Sequence, residues 1–327
     1  MYDRTDADRG TWAIRCTDAR FILTTPDLTT PSRIERATRM SPGTEGMVLG
    51  FLGVLTFSFT LPLTRIAAPE LGGFFIGIGR AILAAVLACL VLWWRRDRLP
   101  DRRYWRPIVI VALGTVFGFG PLSSIAMQSL PAVHGAVVVG LLPAATAMMA
   151  VLRAGEHPKP AFWVACAFGV VAVLIFAAAQ GAGKPQVGDL WLLGAVAMAA
   201  LGYAEGARIS RDLGGWRVIS WALVFSIPAL LVIMLLILLS SGMPRGSTQD
   251  WLCFAYLGSM SMYLGFFPWY RGMVLGGVAR VGQLQLVQPV LSLVWAWWLL
   301  HESISPGTAL AAVLVIASTA LTRLTRD

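Results

Sequence analysis

From residue 47 to residue 324 the chain consists of apolar runs of about 20 residues separated by short polar joints, and this pattern constrains its fold more than any other feature. Twenty residues of helix rise about 30 Å, the thickness of a bilayer's hydrocarbon core. Ten such runs can be read, at residues 47–66, 72–94, 107–128, 132–152, 162–180, 190–209, 219–239, 251–270, 281–300 and 306–324. Only 13% of the residues are charged, about half the proportion a soluble protein needs to cover its surface. A soluble enzyme, a disordered chain and a DNA-binding domain are therefore excluded. An outer-membrane barrel is excluded as well, because its strands alternate apolar and polar residues over segments of about 10. The expectation is an all-α integral membrane protein.

The formal charge of +9 does not point to nucleic acid, because the 26 basic residues lie mostly at the ends of the apolar runs. Cytoplasmic joints carry an excess of Lys and Arg. With the N-terminus inside, 22 basic residues fall on the cytoplasmic side, among them Arg95, Arg96, Arg98, Arg102, Arg103 and Arg106 of one joint. Only Arg65, Lys184 and Arg245 fall outside, and Arg80 lies within a run. Both termini are thus expected in the cytoplasm of a prokaryotic cell, the spans crossing its inner membrane. Trp93, Trp94, Trp105, Trp191 and Trp251 sit at run ends, where amphipathic rings favour the interface.

Residues 1–44 differ in kind. Seven Arg, six acidic residues before Glu45 and no apolar period give the expectation of a disordered cytoplasmic tail. Met40 opens the segment MSPGTEGMVLGFLG, which reads like a natural start for a membrane protein. The hypothesis is that the upstream 39 residues are a mis-called extension or a dispensable tail; a chain beginning at Met40 then inserts and functions fully, and loss of either property would count against it.

The chain repeats itself. Pro143, Glu156 and Pro160 form P-x12-E-x3-P, and Pro289, Glu302 and Pro306 form it again 146 residues later. The same offset aligns Trp105 with Trp251, Met127 with Met273 and Phe57 with Tyr203. The expected domains are a first five-helix repeat at 45–180 and a second at 189–327. Five crossings leave the chain on the far side of the membrane, so the second repeat must be inverted, a recurring plan among secondary transporters.

The five-plus-five pattern, GRAILAA in the second span, GLLPAATAMMAVLRAGEHPKP in the first half and LVQPVLSLVWAWWLLHESISP in the second together resemble the EamA-like branch of the drug/metabolite transporter superfamily. The resemblance covers residues 46–324. It implies a ten-helix transporter that moves metabolites, amino acids among them, or drugs, mostly outward, through a cavity walled by the first, third, fourth, sixth, eighth and ninth spans. In one departure from symmetry, Gly155-Glu156 stands in the first half where His301-Glu302 stands in the second.

A charge inside a span is costly unless it faces a cavity or partner. Arg80, about 12 Å below the outer end of its span, is the leading candidate to hold a substrate carboxylate or phosphate, its alternative being a structural or snorkelling role. Gln285, Gln288, Ser292 and Trp295 share one face of the ninth span and either line the cavity or join helices. Thr60, Tyr203 and Tyr263 are further substrate-binding candidates. Glu205 and Arg208, spaced i and i+3, read first as a rim ion pair, with Glu205 the candidate if a proton is coupled to transport. Pro143 and Pro289 are expected hinges, and Glu156 and Glu302 either mark the repeats or cap helices.

Three free-standing cysteines in apolar runs give no metal or disulfide pattern, and no cofactor is implied. Neither HExxH, GxSxG, a P-loop nor a Rossmann fingerprint occurs. The expected partners are a small-molecule substrate and the lipid bilayer, and repeated GxxxG spacings would admit a homodimer. The reading is therefore a non-enzymatic secondary transporter working by alternating access. A phosphorylated or nucleotide-sugar exchanger is one alternative, and an intramembrane enzyme or lipid-binding scaffold is another.

Overall fold

The computed structural model describes residues 41–154, 159–180, 186–276, 281 and 283–324, and among these it contains helices and no strand. The helices are α1 (Pro42–Ser58), α2 (Thr60–Leu71), α3 (Gly73–Trp94), α4 (Trp105–Val111), α5 (Gly120–Ser129), α6 (Ala132–Val139), α7 (Leu142–Ala154) and α8 (Pro160–Gln180). They continue as α9 (Val187–Leu213), α10 (Gly215–Ser241), α11 (Thr248–Tyr256), α12 (Phe266–Gly276), α13 (Val287–Leu300) and α14 (Pro306–Leu324). Wide π turns at Ala112–Phe119 and Leu257–Leu264 join α4 to α5 and α11 to α12. Among the described residues six continuous stretches are long and apolar enough to cross a membrane: Pro42–Leu71, Gly73–Trp94, Arg102–Ser129, Ala132–Leu152, Val187–Leu213 and Gly215–Ser241.

Several helices begin earlier than their apolar runs, because polar caps extend them. Ser41 accepts a hydrogen bond from the Thr44 amide and Pro42 occupies the first turn. Residues 42–44 are therefore already helical, ahead of the expected boundary at residue 44; residues 1–40 lie outside the described set. Capping boxes at Gln186/Asp189 and Ser247/Asp250 likewise start α9 and α11 upstream of the apolar residues.

Two tight reversals use the same device. Gly72 joins α2 to α3 with φ 81° and ψ 136°, and Gly214 joins α9 to α10 with φ 81° and ψ 141°. This left-handed region is closed to most side chains, so glycine sets both joints.

Packing is closest where glycines face one another. α1 crosses α12 with Gly46 and Gly50 against Gly272 and Gly276, and a Cβ on Gly272 would stand 2.6 Å from the Gly50 amide nitrogen. α9 crosses the first π turn in the same manner, where a Cβ on Gly114 would stand 2.6 Å from the Gly202 nitrogen. These GxxxG surfaces are thus consumed inside the chain. α3 packs along α10 and α8 along α14. At the centre Phe57, Tyr203, Phe266, Trp269 and Tyr270 interlock, all buried.

Candidate functional site

At the centre of the bundle, in contact with this aromatic cluster, lies a cavity of about 20 Å³, lined by Arg80, Thr60, Thr115, Tyr203, Ser261 and Gln288 with Phe57, Phe119, Met262 and Phe266. Its polar groups arrive from separate elements. Thr60 opens α2, Arg80 is eight residues into α3, and Tyr203 is in the middle of α9. Thr115 and Ser261 ride on the two π turns, a geometry that is rare and concentrated at functional sites.

Arg80 is 1% exposed. One guanidinium nitrogen donates to Ser123 Oγ at 3.4 Å and the group stands over the Phe119 ring, 5.9 Å from its centroid. Its Nε has no hydrogen-bond partner, and no carboxylate lies within ion-pair distance among the described residues. Also in the lining, the hydroxyls of Thr60 and Ser261 are 2.7 Å apart.

The stripe on the ninth span divides. Gln288 lines the cavity, whereas Ser292 donates to the Ser58 carbonyl at 2.8 Å and Trp295 Nε1 donates to Ser58 Oγ at 2.9 Å. Trp295 also stacks on Phe59, the centroids 4.4 Å apart. Gln285, in the 3-10 turn ahead of α13, is buried with its amide nitrogen unpartnered and lies outside the lining. Tyr263 faces away from the cavity, its hydroxyl 2.8 Å from Ser220 Oγ on α10.

Glu205 is buried and bonded to the largely exposed Arg208, whose Nε lies 3.2 Å from Oε1. Glu302 reaches out of the joint after α13 to accept both the Ala132 amide, at 3.0 Å, and the Val133 amide, at 2.8 Å. It caps α6 and not the helix that follows it. Glu156 lies outside the described residues. Pro143 and Pro289 occupy the first turns of α7 and α13, each just beyond a break in its rod.

Thr115, Ser261, Phe119 and Phe266 were not among the sequence candidates. One signal could have found two of them: Thr115 and Ser261 are separated by the same 146 residues as Phe57 and Tyr203, and all four meet at this cavity. The fourth span, α6 and α7, contributes no lining residue, and α3 stands in its expected place.

The comparisons agree with this architecture. A curated relative, the "Uncharacterized transporter YdeK" of Bacillus subtilis (strain 168), is 44% identical over 274 residues, covering 84% of this chain and 94% of its own. A solved crystal structure at 20% identity superposes with a TM-score of 0.57 over 86% of this chain and 98% of that one, which speaks for the fold alone. The model of the EamA-like transporter family matches twice in tandem, over residues 44–178 and 186–324. With its several membrane-crossing helices, the chain is a multi-pass membrane protein belonging to the EamA-like transporter family.

Proposed function

We propose that this transporter carries a small metabolite with an anionic group, amino-acid-like or drug-like in size, by alternating access between two inverted five-helix halves, with export the expected direction. The observation that carries the proposal is Arg80, a cation buried in the central cavity with no carboxylate beside it among the described residues and an unpartnered Nε. Burying a charge costs several kcal/mol unless it is paired, and one long hydrogen bond with a ring face offsets part of that. A substrate carboxylate would supply the missing charge and the planar acceptors that a guanidinium fork fits. Phe57, Tyr203 and Phe266 offer apolar walls to the remainder of the molecule.

At about 20 Å³ the cavity holds little more than a water molecule, so the walls must part before a metabolite enters. Supporting two equivalent moving halves are the matching Gly72 and Gly214 joints, the paired π turns, and the tandem family match. Five crossings per half would invert the second relative to the first. Pro143 and Pro289, beside equivalent breaks, are the proposed hinges. A nucleotide-sugar exchanger is less well supported, because Arg80 is the one basic residue among those lining the cavity.

The test is a thermal-shift screen of carboxylated and neutral metabolites on purified protein, followed by flux of the hits into proteoliposomes. Arg80→Ala is expected to abolish saturable flux while leaving membrane insertion intact, and Arg80→Lys to raise KM. Unchanged kinetics in Arg80→Ala would assign Arg80 a structural role. Glu205→Gln, measured with and without a proton gradient, tests Glu205 as the coupling group.

A further inference from the structure

On the outside of the bundle α3 and α10 leave between them an open trough of about 580 Å³. Ile82, Val86, Cys89 and Trp93 of α3 face Ile227 and Leu231 of α10 across it, and no charged or amide side chain enters its lining. The small side chains of Ala85 and Cys89 deepen it on one wall. α10 buries the smallest share of itself among the long apolar helices, so in a membrane this face meets lipid.

The length of the trough and the charge at its mouth specify an occupant. From Ile82 to Trp93 is eleven residues, about 16 Å along the helix. One leaflet of a roughly 30 Å hydrocarbon core is about 15 Å deep. The trough therefore runs from mid-bilayer to one interface, where Trp93 is 79% exposed.

At that end stand the exposed Arg95, Arg96 and Arg98. Arg95 lies over Trp94 of α3, 5.2 Å from its ring centroid, and over Trp216 of α10, 6.0 Å away, so it bridges the two helices at the mouth. The nearby carboxylate of Asp97 is taken by Arg217 at 2.7 Å. Arg95 and Arg96 have no acidic partner among the described residues.

We propose that this trough binds an anionic phospholipid of the arginine-rich leaflet, one acyl chain lying along α3 and α10 and the phosphate held by Arg95 and Arg96. Basic clusters at the ends of membrane helices recognise anionic headgroups in this way. A second copy of the chain fits less well, because a two-fold partner seated on the trough would bring its own Arg95 and Arg96 against this cluster at the same depth.

The test reconstitutes the full chain in phosphatidylcholine nanodiscs containing a trace of phosphatidylglycerol that carries a photoactivatable diazirine on its acyl chain. Cross-linked residues are mapped by mass spectrometry, with a matching phosphatidylcholine probe as control. Phosphatidylglycerol labelling is expected to concentrate on residues 82–93 and 227–231 and to exceed phosphatidylcholine labelling there. Each surface arginine contributes about fivefold to anionic-lipid affinity, so the double variant Arg95→Ala/Arg96→Ala should weaken phosphatidylglycerol binding roughly twenty-five-fold while sparing the control. Val86→Trp, filling the trough from an exposed position, should reduce labelling by both probes. Equal labelling by the two probes in the unaltered chain, labelling spread over every apolar face, or Cys89–Cys89 cross-linking between copies would each overturn the proposal.

Discussion

The hydroxyl of Ser292 on α13 donates to the backbone carbonyl of Ser58, 2.8 Å away, at the break between α1 and α2. Pro62, four residues on, has no N–H to return to that carbonyl, so a helix running through this region would leave it bare. A buried acceptor without a donor costs about 1–3 kcal/mol. α13 thus satisfies the defect that the proline creates in α2, and Trp295 adds a second bond to Ser58 Oγ.

Ser292→Ala should therefore destabilise the protein by about 1–2 kcal/mol, seen as a lower melting temperature in detergent. Pro62→Ala in the Ser292→Ala background restores an N–H to the break and should recover part of the loss. If the double variant melts no higher than the single one, Ser58 is not the group that Ser292 serves.

Glu302 is tied to the α6 terminus by two amide hydrogen bonds, one to each carboxylate oxygen. The first turn of a helix has unsatisfied N–H groups and a partial positive charge, so a carboxylate there is favoured twice over. Glu302→Gln keeps one acceptor and loses the charge; Glu302→Ala loses both. The expected order of melting temperatures is Glu302, then Gln, then Ala, with the full loss about 1–2 kcal/mol. Equal melting of the Ala variant and the parent chain would show that the cap carries no stability.

How much of this could be read from sequence depended on whether a feature is local. The helical rods were legible because lipid demands long apolar runs, and Arg80 was legible because one charge in such a run stands out. Helix starts were missed by several residues, since caps such as Asp189 and Asp250 are polar and interrupt the hydropathy signal. Tyr263, a candidate by chemical type alone, lies on a π turn with its hydroxyl against Ser220 Oγ and outside the cavity lining, a contact that no local pattern announces. Ser292 and Trp295 were correctly grouped with Gln288 on one face, but only Gln288 reaches the cavity. Their common target, the break at Phe59, depends on a contact 234 residues away.

His134 and Asp189 form a buried contact of 2.6 Å between α6 and α9, the imidazole 4% and the carboxylate 3% exposed. Asp189 also accepts the Gln186 amide at 2.8 Å through its other oxygen. Asp189→Ala leaves the imidazole without this acceptor and frees the Gln186 amide, and His134→Ala leaves the carboxylate without this partner, so both should destabilise the protein. Each should lie in the range of about 1.5–3 kcal/mol for a buried hydrogen bond to a charged group. The two losses should also fail to add, the double variant falling short of their sum by about 1–2 kcal/mol. Thermal unfolding of the four proteins measures that coupling, and strict additivity would mean that the two side chains act on separate neighbours.

His301 ends α13 with φ 55°, in the left-handed region that L side chains enter at a cost. The conformation turns the chain back so that Glu302 can reach α6. At the corresponding offset the first half of the sequence has Gly155, the residue best suited to such a terminus. His301→Gly removes a penalty of about 1–2 kcal/mol in the folded chain and adds roughly 0.5–1 kcal/mol of backbone freedom to the unfolded one. The net gain should lie between none and about 1.5 kcal/mol, read as a small rise in melting temperature. The same substitution in a Glu302→Ala background should also relieve the strain, so a rise seen only with Glu302 present would show that His301 is held in this conformation by the cap and not by its place at the helix end.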